Sequence, residues 1–259
     1  MIKRENIDDF GRVYHGKKGM YPSVTTIVDQ AWQEGDDYHW WKQKNDGNNG
    51  NPYHKDIKNY SGWRGTLCHY TLLNTLTHEE LWSDEEQEAI DNLKEMGDYK
   101  YDADEEPKDA YERYQRDLQW VKRQFDLIQE KKGIKPDNVV DVERRVLKHE
   151  FPRYAGQFDL LYENPSGQLV LSDLKTSKWI YDKNKLQLAA YANAIDEEPD
   201  VLEVIKIHPE YEWVKADDYQ PIAVESSEEW DESIDELCET FLERAVEGNQ
   251  VLERRSSSE

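Results

Sequence analysis

The spacing of the apolar residues changes near residue 138, and that change constrains the fold more than any other feature. Before it, Trp63, Leu67, Tyr70, Leu73 and Leu76 recur at helical intervals, and further helices are predicted over about 83–96 and 107–132. After it, 139–148, 154–162 and 168–174 read as strands, with Asn164-Pro165-Ser166-Gly167 as the turn between the last two. Residues 183–195 are predicted helical, 201–208 a fourth strand, and 228–247 a helix carrying Trp230, Ile234, Leu237, Phe241 and Ala245. This order predicts a mixed α/β domain with a helical N-terminal part. The 259 residues suit a single domain with insertions. Its expected parts are a mainly helical 1–137, a sheet core over 138–215, and a C-terminal helix with a disordered tail over 216–259.

Shorter signals fill in the N-terminal part. The first twenty residues are polar and predict an irregular lead or a short hairpin. Tyr21-Pro22-Ser23-Val24-Thr25-Thr26 opens a helix, with Ser23 in the N-cap position. A second helical piece is expected around 36–44, the Asn- and Gly-rich stretch 45–60 as a mobile loop, and 97–107 as an acidic connector.

Composition narrows the function classes. Lys and Arg number 33 against 56 Asp and Glu, a formal charge of −23. Taken whole, that charge argues against a protein that coats nucleic acid or lies on an anionic membrane. The acidity is concentrated, however. Residues 70–142 and 191–259 together carry −26, whereas 1–69 and 143–190 together carry +3. An anionic partner is therefore expected to meet the near-neutral parts. An ordinary acidic protein and one adapted to concentrated salt both fit this balance. No apolar run is long enough to span a bilayer, and Met1–Phe10 lacks an apolar signal-peptide core, so a cytoplasmic protein is expected. Cys68 and Cys238 lie far apart outside any CxxC spacing, which suits a reducing compartment and excludes a cysteine-built zinc or iron–sulfur site.

Chemistry-bearing residues are densest over 154–191. Gly156-Gln157-Phe158-Asp159 ends one strand with a carboxylate, and Asp173-Leu174-Lys175-Thr176 ends the next. Residues two apart on a strand share a face, so Asp173 and Lys175 point the same way. A strict four-residue loop would pair 159 with 172 and set Asp159 and Asp173 on opposite faces; a shared face needs an odd loop or a bulge. Two carboxylates beside a lysine suit a hard divalent cation, Mg²⁺ or Mn²⁺, which polarises a phosphoryl oxygen and supplies a hydroxide-like nucleophile. The lysine would position that water or stabilise transition-state charge. Alone, an Asp-x-Lys pair reads as a surface ion pair and Asp159 as a strand end.

The combination resembles a known family. GQFD, then LVLSDLKTSK, then Gln187-Leu188-Ala189-Ala190-Tyr191 is similar to the GxxD strand, DxKT strand and QxxxY helix of the RecB-type branch of the PD-(D/E)XK nucleases. Gly65-Thr66-Leu67-Cys68-His69 resembles that family's GTxxH helix. Tyr21-Pro22-Ser23-Val24-Thr25-Thr26 resembles the PSVT opening of phage-encoded and mitochondrial genome-maintenance exonucleases of the branch. The likeness spans about 21–195 and leaves 78–137 and the C-terminal helix poorly covered.

The resemblance implies a restriction-endonuclease-like core, a mixed central sheet flanked by helices. It implies that His69, Asp159, Asp173 and the Leu174 carbonyl bind the metal and that Lys175 is the catalytic lysine. Gln187 and Tyr191, one helical turn apart, would hold the active-site strands or a DNA phosphate. Glu143 resembles a further acidic position that supports the site. Ser23, Arg64, Arg144, Arg145, Lys178 and Tyr191 are the expected DNA contacts. Lys148, Arg153, Lys183 and Lys185 would add positive charge, and Trp40, Trp41, Tyr53, Tyr60 and Trp63 would stack bases. The helix over 107–132 reads as an arch over the cleft or a packing helix. The implied activity is that of a Mg²⁺- or Mn²⁺-dependent deoxyribonuclease, an exonuclease on linear or single-stranded DNA in replication, recombination or repair. The alternatives are a catalytically idle DNA-binding recombination partner of the same fold and a structure-specific endonuclease. With no cysteine set and no Walker sequence, neither an iron–sulfur cluster nor ATP is expected. Besides the DNA substrate, a recombinase or a single-strand-binding protein is an expected partner, and a viral chain would act in the host cytoplasm.

Overall fold

The computed structural model describes residues 3–7, 10–16, 19–33, 54–77, 84–100, 106–209 and 221–256. Three short strands, β1 (Lys3–Ile7), β2 (Gly11–Gly16) and β3 (Gly19–Pro22), form an antiparallel sheet, so of the two expected forms the hairpin is found, with a third strand added. Ser23 then caps α1 (Val24–Gln33): its Oγ accepts the Thr26 N–H at 3.0 Å. The helix expected around 36–44 lies outside the described residues. The second helix, α2 (His54–Leu73), begins inside the stretch predicted as loop, so the Asn/Gly-rich signal ends before residue 54.

Next come α3 (Asp84–Met96), whose first turn carries Asp84, Glu85 and Glu86 at the positive end of the helix dipole, and β4 (Asp98–Tyr99), inside the predicted connector, paired with β5 (Lys108–Asp109) at the start of the segment predicted as helix. The long α4 (Ala110–Lys132) is capped by Asp109, which accepts the Glu112 N–H, and ends at Gly133 in the left-handed conformation.

The main sheet has five strands: β6 (Val139–Lys148), β7 (Tyr154–Glu163), β8 (Leu169–Lys175), β9 (Val201–Ile207) and β10 (Ile222–Ser226). Its order is β10-β9-β8-β7-β6, with β8 and β9 parallel and the other pairs antiparallel. Helix α5 (Asp182–Ala192) makes the crossover between the parallel strands, and α6 (Ile234–Ser256) closes the described chain. Strand β10 lies beyond the expected sheet core of 138–215, and the sheet runs on to Ser226. All five β10 residues are half-buried, which leaves no clear alternation to detect.

Helices cover both faces of the sheet. On one, α1, α5 and α6 bury Val24, Ile27, Leu188, Ala189, Phe241 and Ala245 against Leu171, Leu202 and Val204. On the other, α2 and α4 bury Leu72, Val121, Phe125 and Ile128 against Leu160, Val170, Leu174 and Ile205. Helix α4 is therefore a packing helix. Full burial of one large aliphatic side chain contributes about 1.5–3 kcal/mol, so these two layers hold the strand ends rigidly.

Candidate metal centre

The sheet register brings three carboxylates together. In β7 and β8, Leu160 pairs with Ser172 and Glu163 with Leu169, so the next position sets Asp159 opposite Asp173. In β6 and β7, Val142 pairs with Leu160 and Arg144 with Phe158, which sets Glu143 opposite Asp159. The turn decides the first pairing. Asn164 N–H donates to Gln168 O at 2.9 Å, and Asn164 Oδ1 accepts the N–H groups of Ser166 and Gln168. The loop is thus the three residues Pro165-Ser166-Gly167, with Gly167 at φ 79, and not four. An odd loop puts Asp159 and Asp173 on a shared face.

Alternation also breaks at this row. Phe158 and Leu161, three apart, reach the same core, and Glu143 opposite has φ 52, left-handed for a residue with a side chain. Such a backbone costs about 1–3 kcal/mol and persists only where its surroundings enforce it. Gln157 donates to the Glu143 carboxylate and holds it toward the row.

Helix α2 supplies His69, whose Nδ1 lies 3.5 Å from Asp159 Oδ2. One ligand atom each from His69, Glu143 and Asp159 lie within 4.8 Å of one another. Two residues of α2 set its approach to β8. The buried Arg64 donates from Nη2 to Thr176 O at 2.8 Å and pairs through Nη1 with Asp117 at 3.3 Å, while Tyr60 Oη donates to the same Asp117 oxygen. At Gly65 an added Cβ would sit 3.1 Å from Thr176 Oγ1.

The lysine is held from α5. Lys175 Nζ lies 2.5 Å from Asp173 Oδ2 and donates to Gln187 Oε1 at 3.3 Å, and Gln187 Nε2 donates to Tyr191 Oη at 2.9 Å. Gly156 makes room for the tyrosine: a Cβ there would lie 2.4 Å from Tyr191 Cε1. Leu174 meets the centre through its N–H, which donates to Asp159 Oδ2 at 2.7 Å.

Burial and charge pull these groups apart in pKa. Burial pushes Asp173 up to about 6, against the pull of Lys175 and with the repulsion of Asp159. Burial and the Asp159 charge push Glu143 up to about 7. For Asp159, burial is outweighed by His69, Lys175 and the Leu174 N–H, which hold it below the ordinary carboxylate value. Burial would lower His69, but Asp159 and Glu143 raise it to about 9. Lys175 is likewise raised, by Asp173 and Asp159 against burial.

This donor set fits a hard divalent cation. Asp173 Oδ2 is buried with no aligned hydrogen bond despite its close contact with Lys175, and three acidic side chains converge beside Lys175 and His69. All five residues line one open cleft of about 230 Å³.

Other predicted residues go elsewhere. Arg64 is 1% exposed and committed to Asp117 and Thr176, so it offers no guanidinium to DNA. Ser23 borders the cleft, but its hydroxyl caps α1. Arg144 pairs with Glu197 at 2.7 Å, Lys183 with Asp29 at 2.8 Å, Lys185 with Asp182, Arg153 with Glu253, and Lys148 with Asn193 O. The exposed Arg145 donates to Gln157 at the cleft, and Lys178 lies beside Trp179 outside the cleft lining. Tyr60 is a core residue and Trp63 packs against that core; Trp40, Trp41 and Tyr53 lie outside the described residues. The sequence reading overlooked Arg4, Arg12, Thr25 and Gln157, which line the cleft. The arginines stand singly in a polar lead, without a pattern to mark them.

No family model matches the chain, and no curated protein matches its sequence. Among solved structures, one described as the crystal structure of SSO0001 is similar over 54% of this chain, at a TM-score of 0.34 and 15% identity. The match spans 61% of that protein.

Proposed function

We propose that the chain is a metal-dependent deoxyribonuclease with a PD-(D/E)XK core, hydrolysing phosphodiester bonds at the ends of linear or single-stranded DNA. One observation carries this reading: Glu143, Asp159 and Asp173 occupy one row of three adjacent strands, with Lys175 and His69 in the same cleft. Asp159, Asp173 and His69, supported by Glu143, would hold Mg²⁺ or Mn²⁺, with the Leu174 carbonyl as the backbone ligand that the family resemblance implies. Such an ion polarises a phosphoryl oxygen and acidifies a bound water. Lys175, with its raised pKa, stays an ammonium at neutral pH and stabilises negative charge developing on phosphoryl oxygen. Gln187 and Tyr191 fix its direction. Glu143, held toward the row by Gln157, would add a third carboxylate beside that ion.

The test is cleavage of 5′- and 3′-labelled single- and double-stranded DNA, beside a closed circle, with and without Mg²⁺. Metal-dependent loss of label from linear DNA is expected, abolished in Asp173→Ala and Lys175→Ala. Cleavage that survives either substitution refutes the reading. DNA binding without turnover would assign the chain to the idle recombination partner, and cutting of the closed circle to an endonuclease.

A further inference from the structure

One wall of the cleft is built by elements that supply no carboxylate, histidine or lysine to the metal centre. In the β1–β2 pair, Arg4 stands opposite Tyr14 and Asn6 opposite Arg12, so the two arginines share a face of the N-terminal sheet. Both line the cleft, with Thr25 and Glu85 beside them. Arg4 meets Glu85 of α3 in an ion pair. Arg12 does not resemble it. It is half-buried, and among the described residues its guanidinium has neither a hydrogen bond nor an ion pair.

The backbone of Arg12, in contrast, is fixed three times. Its N–H donates to Thr26 Oγ1 at 2.8 Å, and its carbonyl accepts that hydroxyl at 3.0 Å and the Ser23 N–H at 3.0 Å. Gly11 permits this approach: with φ 113, it has no Cβ, and one would lie 2.8 Å from Thr26 Oγ1. Ser23 also bridges to Ala155, which ties the wall to the strand carrying Asp159. Ser23 and Thr26 thus fix the backbone from which Arg12 reaches the cleft. A partly desolvated guanidinium without a partner is costly. What completes its donor set is an anion from outside.

We infer that Arg12, flanked by Arg4 and Thr25, is a phosphate subsite separate from the carboxylate centre, which grips a phosphate of the bound strand other than the scissile one. Calling that ligand a DNA strand rests on the nuclease reading. A guanidinium takes a terminal phosphomonoester or an internal phosphodiester through the same forked hydrogen bonds. The subsite would place the strand relative to Lys175 and contribute to binding, not to the chemical step.

The experiment is binding without turnover: fluorescence anisotropy in EDTA with a single-stranded oligonucleotide bearing a 5′-phosphate and with its 5′-hydroxyl twin. Inorganic phosphate is the competitor, and Mn²⁺ titration serves as an independent measure of the carboxylate centre. Arg12→Gln should weaken oligonucleotide binding by about 10-fold or more, as for loss of a charge-assisted hydrogen bond. It should also reduce the slope of log affinity against log salt by about 0.7, one single-strand phosphate contact. Arg12→Lys should keep the slope, and Mn²⁺ affinity should be unchanged in both. A loss confined to the phosphorylated oligonucleotide identifies the terminal phosphate as ligand; an equal loss identifies the backbone. Wild-type affinity and slope in Arg12→Gln overturn the inference. Phosphate binding that needs Arg12, without oligonucleotide binding, keeps the anion subsite and removes the nuclease reading. If Arg12→Gln does not fold, phenylglyoxal labelling of the wild type decides. Protection of Arg12 by oligonucleotide or phosphate is expected, and labelling indifferent to both refutes the subsite.

Discussion

Gly156→Ala is the sharpest probe of how the fold serves the site. The added methyl would lie 2.4 Å from Tyr191 Cε1 and 3.2 Å from Val24 Cγ2. Carbon atoms in good contact stand about 3.5–4.0 Å apart, so the overlap with the ring exceeds about 1 Å. The ring has little room to retreat, because Tyr191 is 1% exposed and packed into the core under α1, α5 and α6. Overpacking of this kind costs about 1–3 kcal/mol. For a domain of about this size that is a fall in Tm of roughly 2–12 °C. The hydroxyl of Tyr191 holds Gln187, whose bond to Lys175 is already long at 3.3 Å, so the displacement should also release the lysine and lower kcat. Urea unfolding of Gly156→Ala, Tyr191→Leu and the double variant measures the effect. Tyr191→Leu should recover at least about 1 kcal/mol in the Gly156→Ala background beyond additivity. A Gly156→Ala protein within about 0.5 kcal/mol of wild type, with additive effects, would refute the close packing on which the argument depends.

Other consequences can be measured directly. Without metal, stability should fall as pH rises from about 5 to 9. His69, raised from 6.5 to about 9, contributes stability that is complete below its ordinary pKa and lost as pH rises through the higher value; Asp173 and Glu143, raised to about 6 and about 7, add losses of the same sign. Asp159, lowered, acts oppositely, so its contribution disappears only on acidification; a flat Tm in EDTA between pH 5 and 9 would contradict these signs. Mn²⁺ affinity should rise over the same interval, because a ligating histidine must give up its proton; calorimetry in two buffers would show the proton release. Arg64→Leu should destabilise by about 3–5 kcal/mol by removing the cation paired with the buried Asp117 carboxylate, and Asp117→Leu in that background should restore part of it; denaturant titration of both variants checks this. Gly167→Ala, at φ 79, should cost about 1–2 kcal/mol in the same assay, and no loss would mean that the turn does not require a left-handed residue.

The sheet was the most legible part of the sequence. Strand β6 has the predicted bounds, and β7, β8, β9 and α5 fall within a few residues of theirs, because their apolar runs end in clear turn or cap residues. Strand β10 has five half-buried residues and so no period to detect, and the polar lead indicated a short hairpin at most, where three strands form. His69, Glu143, Asp159, Asp173, Lys175, Gln187 and Tyr191, picked out by their motifs, line one cleft. What failed depended on distant partners. Nothing beside Arg64 in the sequence announces Asp117, 53 residues on, and nothing beside Arg12 announces Thr26. The turn failed for a local reason: NPSG reads as four loop residues until Asn164 is seen bonding to Gln168 and so joining the strand.

The left-handed backbone at Glu143 sets stability and function against each other within a single residue. A glycine there would relieve the conformation, and an asparagine would tolerate it. Either would also remove a half-buried carboxylate whose ionisation the fold resists. Selection of random variants for thermal endurance alone would therefore enrich replacements at this position. Retention of glutamate through such a selection would require a second pressure, which the proposed metal binding would supply.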